Sequence, residues 1–156
     1  MTTVLGVPQR SPWIWVFAFA FLAQVAHLGE HIMVKLRGTA LIGPAADSEE
    51  THLAFNALIA VLALVLMWRY PRNAWVYPLA VLAVFHAIEH VYIYEQYLRT
   101  HIVNGPGLLG RGGAIGIFPI DRLDLHNIYN GFEVILLLLG FRLELDPLLE
   151  RQWEAQ

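Results

Sequence analysis

Four stretches of the chain are almost continuously apolar, at about 12–37, 49–70, 74–99 and 121–142, and each is broken only by a few polar residues at helical spacing. Crossing a bilayer core of ~30 Å takes about 20 helical residues, so each stretch is long enough. Lipid offers no partners to loose backbone groups, which makes helices the predicted form. The boundaries carry the usual signals. Ser11 stands as a cap before Pro12, where a missing N–H is harmless. Asp47 or Ser48 precedes the second stretch, and Pro71 stops it; Asn73 or Ala74 opens the third; Asp121 caps the fourth, which ends around Phe141 or Arg142. Between them lie a Gly/Pro loop at 38–47, a tight turn at Tyr70-Pro71-Arg72-Asn73, and a glycine-rich connection at 101–120 that reads as a lid or a flexible link. Residues 143–156 read as a short amphipathic or frayed tail. Arg10 before the apolar run from Trp13 to Ala23 resembles a signal peptide, but the run continues to full spanning length, so a retained helix is expected.

The polar interruptions repeat. The first stretch contains His27-Leu28-Gly29-Glu30-His31 and the third His86-Ala87-Ile88-Glu89-His90, both H-x-x-E-H. The second contains His52-Leu53-Ala54-Phe55-Asn56 and the fourth His126-Asn127-Ile128-Tyr129-Asn130, both H-x-x-x-N. The chain thus reads as one helical hairpin written twice, an internal repeat of the kind membrane proteins often carry. At about 100° per residue, positions i, i+3 and i+4 share one face, so each helix bears a single polar stripe on an oily cylinder.

The stripes also share a depth. They lie in the C-terminal part of the first and third helices and the N-terminal part of the second and fourth, which an up-down-up-down bundle brings to the same end. The predicted fold is therefore an all-α integral membrane protein, a four-transmembrane-helix bundle built from two repeated hairpins, with residues 1–156 forming a single membrane domain. Six histidines and Glu30, Glu89 and Glu133 would converge there, leaving His101 in the loop.

Composition supports this reading and narrows the chemistry. Counting glycine and not tyrosine, roughly 61% of the residues are apolar, against roughly 45–50% in soluble domains. A net charge of −3 with no basic block leaves no nucleic-acid footprint. There is no cysteine, which excludes disulfides, thiolate metal sites and cysteine nucleophiles. Buried chemistry must use nitrogen and oxygen.

A lone intramembrane histidine is often a helix–helix hydrogen-bonding group worth on the order of 1 kcal/mol, and Asn56 and Asn130 are read as such glue. Nine imidazoles and carboxylates at one depth are not, because each costs a few kcal/mol to insert. A cation offsets that cost. The candidate ligands are His27, Glu30, His31, His52, His86, Glu89, His90, His126 and Glu133. Nine exceed the four that a structural zinc takes, so two transition-metal ions, iron or zinc, are expected. Glu133, central on its stripe, is the expected bridging carboxylate, with Glu30 and Glu89 completing a coordination sphere or orienting an imidazole. The run His126-Asn127-Ile128-Tyr129-Asn130-Gly131 resembles the H-N-x-x-D-G signature of ZIP-type zinc transporters over six residues, with Asn130 where Asp is usual and without that family's eight helices. H-x-x-E-H is likewise the motif of inverzincin proteases, in which both histidines hold zinc and Glu is a base.

The leading expectation is a dinuclear membrane metalloenzyme, an oxidoreductase or else a zinc hydrolase, acting on a small or lipophilic substrate near one membrane face. Tyr92, Tyr94, Tyr97 and Tyr129 lie near the stripes as possible donors or redox partners, though interface tyrosines are common. Alternatives are a haem b- or chlorophyll-binding subunit, which gains little from buried glutamates, a metal-ion transporter, which polar groups confined to one half of the membrane disfavour, and an accessory subunit with a structural site. Expected partners are the lipid bilayer and a second copy or a larger membrane complex, in a bacterial inner membrane. Five basic residues on each side (Arg10, Arg69, Arg72, Arg142, Arg151 against Lys35, Arg37, Arg99, Arg111, Arg122) leave the orientation open.

Overall fold

The computed structural model describes residues 12–43, 45 and 48–153 and is all-helical. Helix α1 runs Trp13–Arg37, α2 Glu49–Arg69, α3 Val76–Thr100 and α4 Arg122–Trp153. The expected caps Ser11 and Asp47 lie outside the described residues. Ser48 performs the capping at α2, its hydroxyl accepting from the Thr51 N–H at 3.2 Å. Helix α1 stops at Gly38, whose φ of 74° turns the chain left-handed and lets its N–H reach Val34 O at 2.7 Å.

Two boundaries differ from the sequence reading. Helix α3 begins at Val76 because Asn73 is occupied in the turn: its Oδ1 accepts from Trp75 N at 3.1 Å, and its Nδ2 donates to Gly140 O at 2.9 Å. The same amide group also donates to Glu144 Oε1 at 3.0 Å, fastening the turn to α4. Helix α4 continues well past Arg142, so the stretch read as a tail is helix as far as Trp153. That contact from Asn73 to Glu144 and an Arg142–Asp146 pair one turn apart support the extension.

The helices form a bundle in which α2 packs most extensively on α3 and α1 on α4, while α1 and α2 share the thinnest interface. Neighbours run antiparallel. Phe17 meets Tyr70 and His27 meets Phe55 between α1 and α2; Gln24 meets Glu133 and Lys35 meets Asp124 between α1 and α4. The interior is divided along its length. One half is an apolar core including Phe17, Ala20, Ile59, Leu66, Leu79 and Leu137. The other half, toward the loops at 38–48 and 101–121, holds buried histidines.

Helices α1, α2 and α3 are each long and apolar enough to cross a membrane. Helix α4 falls short because it carries His126, Asn127, Asn130 and Glu133. Of these, His126, Asn130 and Glu133 are buried against the bundle, while Ile128, Phe132, Ile135 and Leu138 face outward. The glycine-rich connection is folded and fastened: Glu89 accepts from Leu108 N at 3.1 Å, and Phe118 N donates to Leu109 O at 2.9 Å.

Candidate metal centre

The histidines assemble into two groups. In the first, His27 and His31 stand one turn apart on α1 with their Nε2 atoms 3.2 Å apart, and the His52 ring from α2 lies 4.9 Å from that of His31. In the second, His86 and His90 of α3 both meet His126 of α4. His86 Nε2 lies 3.1 Å from His126 Nδ1, and His90 Nε2 lies 3.3 Å from His126 Nε2. Within each group the ligand atoms fall within 4.8 Å of one another, a set that could hold a metal ion. Each group joins the paired histidines of one H-x-x-E-H to the histidine of the following H-x-x-x-N.

The two groups touch. His31 and His126 have ring centroids 4.5 Å apart, and His52 and His90 have theirs 5.7 Å apart. Five of the six imidazoles are buried and His27 is half-buried. Separations of 3.1–3.3 Å between ring nitrogens suit a hydrogen bond. The contact between His27 and His31 suits a metal as well, since two nitrogens bound at ~2.0–2.1 Å to one tetrahedral ion stand about 3.3 Å apart; in the second group His126 turns Nδ1 to His86 and Nε2 to His90, so only one of those two contacts can belong to a shared ion. His31 Nδ1 and His90 Nδ1, the ring nitrogens turned away from these contacts, are buried without a partner among the described residues.

The three glutamates stand outside both groups. Glu30 accepts from the N–H groups of Leu41 at 2.6 Å and Ile42 at 2.9 Å, so it holds the loop after α1. Glu89, at the same place in its own H-x-x-E-H, accepts from Leu108 N in the loop after α3. Glu133 is fully buried and lies 3.0 Å from His86 Nδ1, the ring nitrogen opposite the one that faces His126. Gln24 Nε2 donates to Glu133 Oε2 at 2.5 Å and to Asn130 Oδ1 at 2.7 Å. Asn56 donates to His52 O at 2.9 Å, within its own helix. Among the tyrosines, Tyr129 packs its ring 5.2 Å from His86, whereas Tyr94 lies tilted against Tyr97, which meets His101 edge to face.

Two participants escaped the sequence reading. Gln24 had a signal: it lies three residues before His27 and seven before His31, on the same stripe. The ion pair of Glu49 and Arg122 had none, because each reads locally as a residue at a helix start. Arg122 donates to Glu49 through both terminal nitrogens at 2.8 and 2.7 Å, and Glu49 also accepts from Asn104 N at 2.9 Å. This pair stands beside a cavity of about 340 Å³ lined by His31, His52, His126, Asn104, Asp121 and Arg122, which joins the histidines to the loop side. No family model matches the sequence, and no curated protein and no solved structure matches it either.

Proposed function

We propose that this chain is an integral membrane metalloprotein that binds two transition-metal ions, one in each histidine triad, and uses them as a metal-dependent oxidoreductase on a small or lipophilic substrate. The observation that carries this reading is the pairing of two buried three-histidine groups in contact. Three protein ligands leave a coordination position for water or substrate, the pattern of catalytic rather than structural zinc sites. Imidazole ligands suit copper, iron, nickel or zinc, whereas carboxylate-rich sets suit magnesium, calcium and manganese. With no glutamate in either triad, copper joins iron and zinc as an expected metal. A redox-active pair would exchange electrons with the substrate, and the polar cavity at Arg122 would admit water and protons.

All four helices cross the bilayer in this reading. His126, Asn130 and Glu133, which lower the hydropathy of α4, point inward, and lipid meets its Ile128, Phe132, Ile135 and Leu138. A single membrane domain in a bacterial inner membrane follows as part of the same proposal. Zinc hydrolysis is the second reading, favoured by the three-ligand geometry, since zinc brings bound water toward a pKa of ~7. Haem or chlorophyll fits less well, because imidazole rings 4.5–5.7 Å apart fill the middle of the bundle. A transport path would have to cross the apolar half around Leu66, Leu79 and Leu137.

Metal analysis of detergent-purified protein, with optical and electron paramagnetic resonance spectra of the same sample, tests the proposal. Two ions per chain are expected, falling to one in His31→Ala or His90→Ala. Protein that takes up no metal in titration, or that keeps both ions after both replacements, would overturn it. Strong visible porphyrin bands would favour the cofactor-subunit alternative, and two zinc ions without redox-active metal would favour hydrolysis.

A further inference from the structure

The two hairpins are equivalent in their histidines but not in what surrounds them. Between α1 and α2 a cavity of about 260 Å³ runs in to the first triad, its apolar lining including Ala23, Ala26, Phe55 and Ile42, its polar lining Glu30 and Thr51, and it reaches all three histidines. Its existence follows from the small side chains on α1, and α1 and α2 are the neighbours that pack least. Aligning His27 with His86 and His52 with His126 places Leu82 where the first hairpin has Ala23, Phe85 where it has Ala26, and Tyr129 where it has Phe55. In the second hairpin Phe85 and Tyr129 pack edge to face with centroids 6.1 Å apart, filling the equivalent gap. The second triad is walled off on that side; the first is not.

Exposed aliphatic side chains stand at the mouth of the cavity. The loop leaving α1 carries Leu41, 62% exposed, and Ile42, 81% exposed. Glu30 grips the backbone of both, and glycines with positive φ flank them, Gly38 at 74° and Gly43 at 111°. Two bare aliphatic side chains at the rim of a helix bundle are unfavourable in water and favourable against acyl chains.

We propose that this opening is a lateral portal through which a single-chain lipid, with an oxygen-bearing end such as an alcohol, aldehyde or acid, reaches the first triad from the bilayer. Ala23, Ala26 and Phe55 make a slot for one hydrocarbon chain, and the imidazoles at its floor place the polar end at the ion. This rests on the metal reading above and adds the substrate class and its route. The second triad, closed by Phe85 and Tyr129, then serves the first and does not receive the chain.

The test uses full-length protein in nanodiscs with a long-chain alcohol carrying a diazirine near its hydroxyl end. Adducts should concentrate on the α1 and α2 peptides around Ala23, Ala26 and Phe55. Ala26→Phe, which copies the closure of the second hairpin, should lower them to the level on the α3 and α4 peptides around Phe85, which serves as the internal reference. Ala23→Leu, copying Leu82, is the second variant should the first fail to fold. Metal stoichiometry is measured on every sample. Wild-type protein without metal would remove the metal reading while leaving the labelling pattern readable. Metal-loaded protein labelled equally on both hairpin faces, or labelled as strongly after either replacement, would overturn the portal.

Discussion

His86 and Glu133 face each other at 3.0 Å, from Nδ1 to Oε1, with both side chains wholly enclosed. The contact leaves Nε2 of His86 directed at His126, the arrangement in which a carboxylate fixes the ring orientation and basicity of a metal-binding imidazole. Gln24 holds the other carboxylate oxygen, so the carboxylate is itself held in place. Glu133 thus meets one histidine, as a positioning residue would, where a bridging carboxylate would meet two ions.

Replacing Glu133 with Gln keeps the shape of this arrangement but removes the acceptor charge. The expected outcome is a loss of metal affinity at the second triad of about 10- to 100-fold, in line with outer-partner replacements at other metal sites, with the first triad unaffected. Competition titration with a chromophoric chelator reads the two sites separately. Equal weakening of both would restore the bridging role.

The loop-holding glutamates should behave differently. Glu30→Gln is expected to keep both ions while the amides of Leu41 and Ile42, which now donate to its carboxylate, exchange hydrogen faster. Hydrogen–deuterium exchange on metal-loaded protein checks this. An emptied first triad in that variant would mean that Glu30 is a ligand after all.

Glu49 and Arg122 form a pair of which Glu49 is 2% and Arg122 15% exposed at the side chain. Breaking a buried pair leaves an uncompensated charge and costs roughly 3–5 kcal/mol when burial is complete. Arg122→Met alone should lower the thermal midpoint substantially, and adding Glu49→Leu should recover much of the loss. Thermal unfolding of the single and double variants measures the difference; equal destabilisation in both would show that packing, not charge, is what Arg122 contributes.

Acidification should release the metal. Imidazole binds an ion only when deprotonated, so protons compete for the same nitrogen. Holoprotein is expected to keep both ions at neutral and alkaline pH and to lose them as protons displace the metal at acid pH. Stoichiometry after desalting at stepped pH follows the loss. Retention of both ions at every pH at which the fold survives would count against imidazole ligands.

What the sequence determined by itself is what repeats locally. Apolar runs broken at intervals of three and four residues are helices wherever they fold, and the same period puts His27 beside His31 and His86 beside His90 without help from any other segment. The alternating depth of the stripes was legible too, because the short links after α1 and α2 force those neighbours antiparallel, and the stripe on α4 matches the one on α2. What only the tertiary structure decided is where the acids go. Glu30, Glu89 and Glu133 all read as members of the polar stripes, yet two hold backbone of the following loops and one holds a histidine. That choice depends on which backbone N–H or ring nitrogen the fold brings within reach, and helical periodicity carries no record of it. The pairing of Glu49 with Arg122 spans 73 positions and depends on the closure of the whole bundle. The open and closed flanks of the two triads belong to both levels: the alanines and their bulkier counterparts are written in the chain, but only packing turned one set into a cavity and the other into a wall.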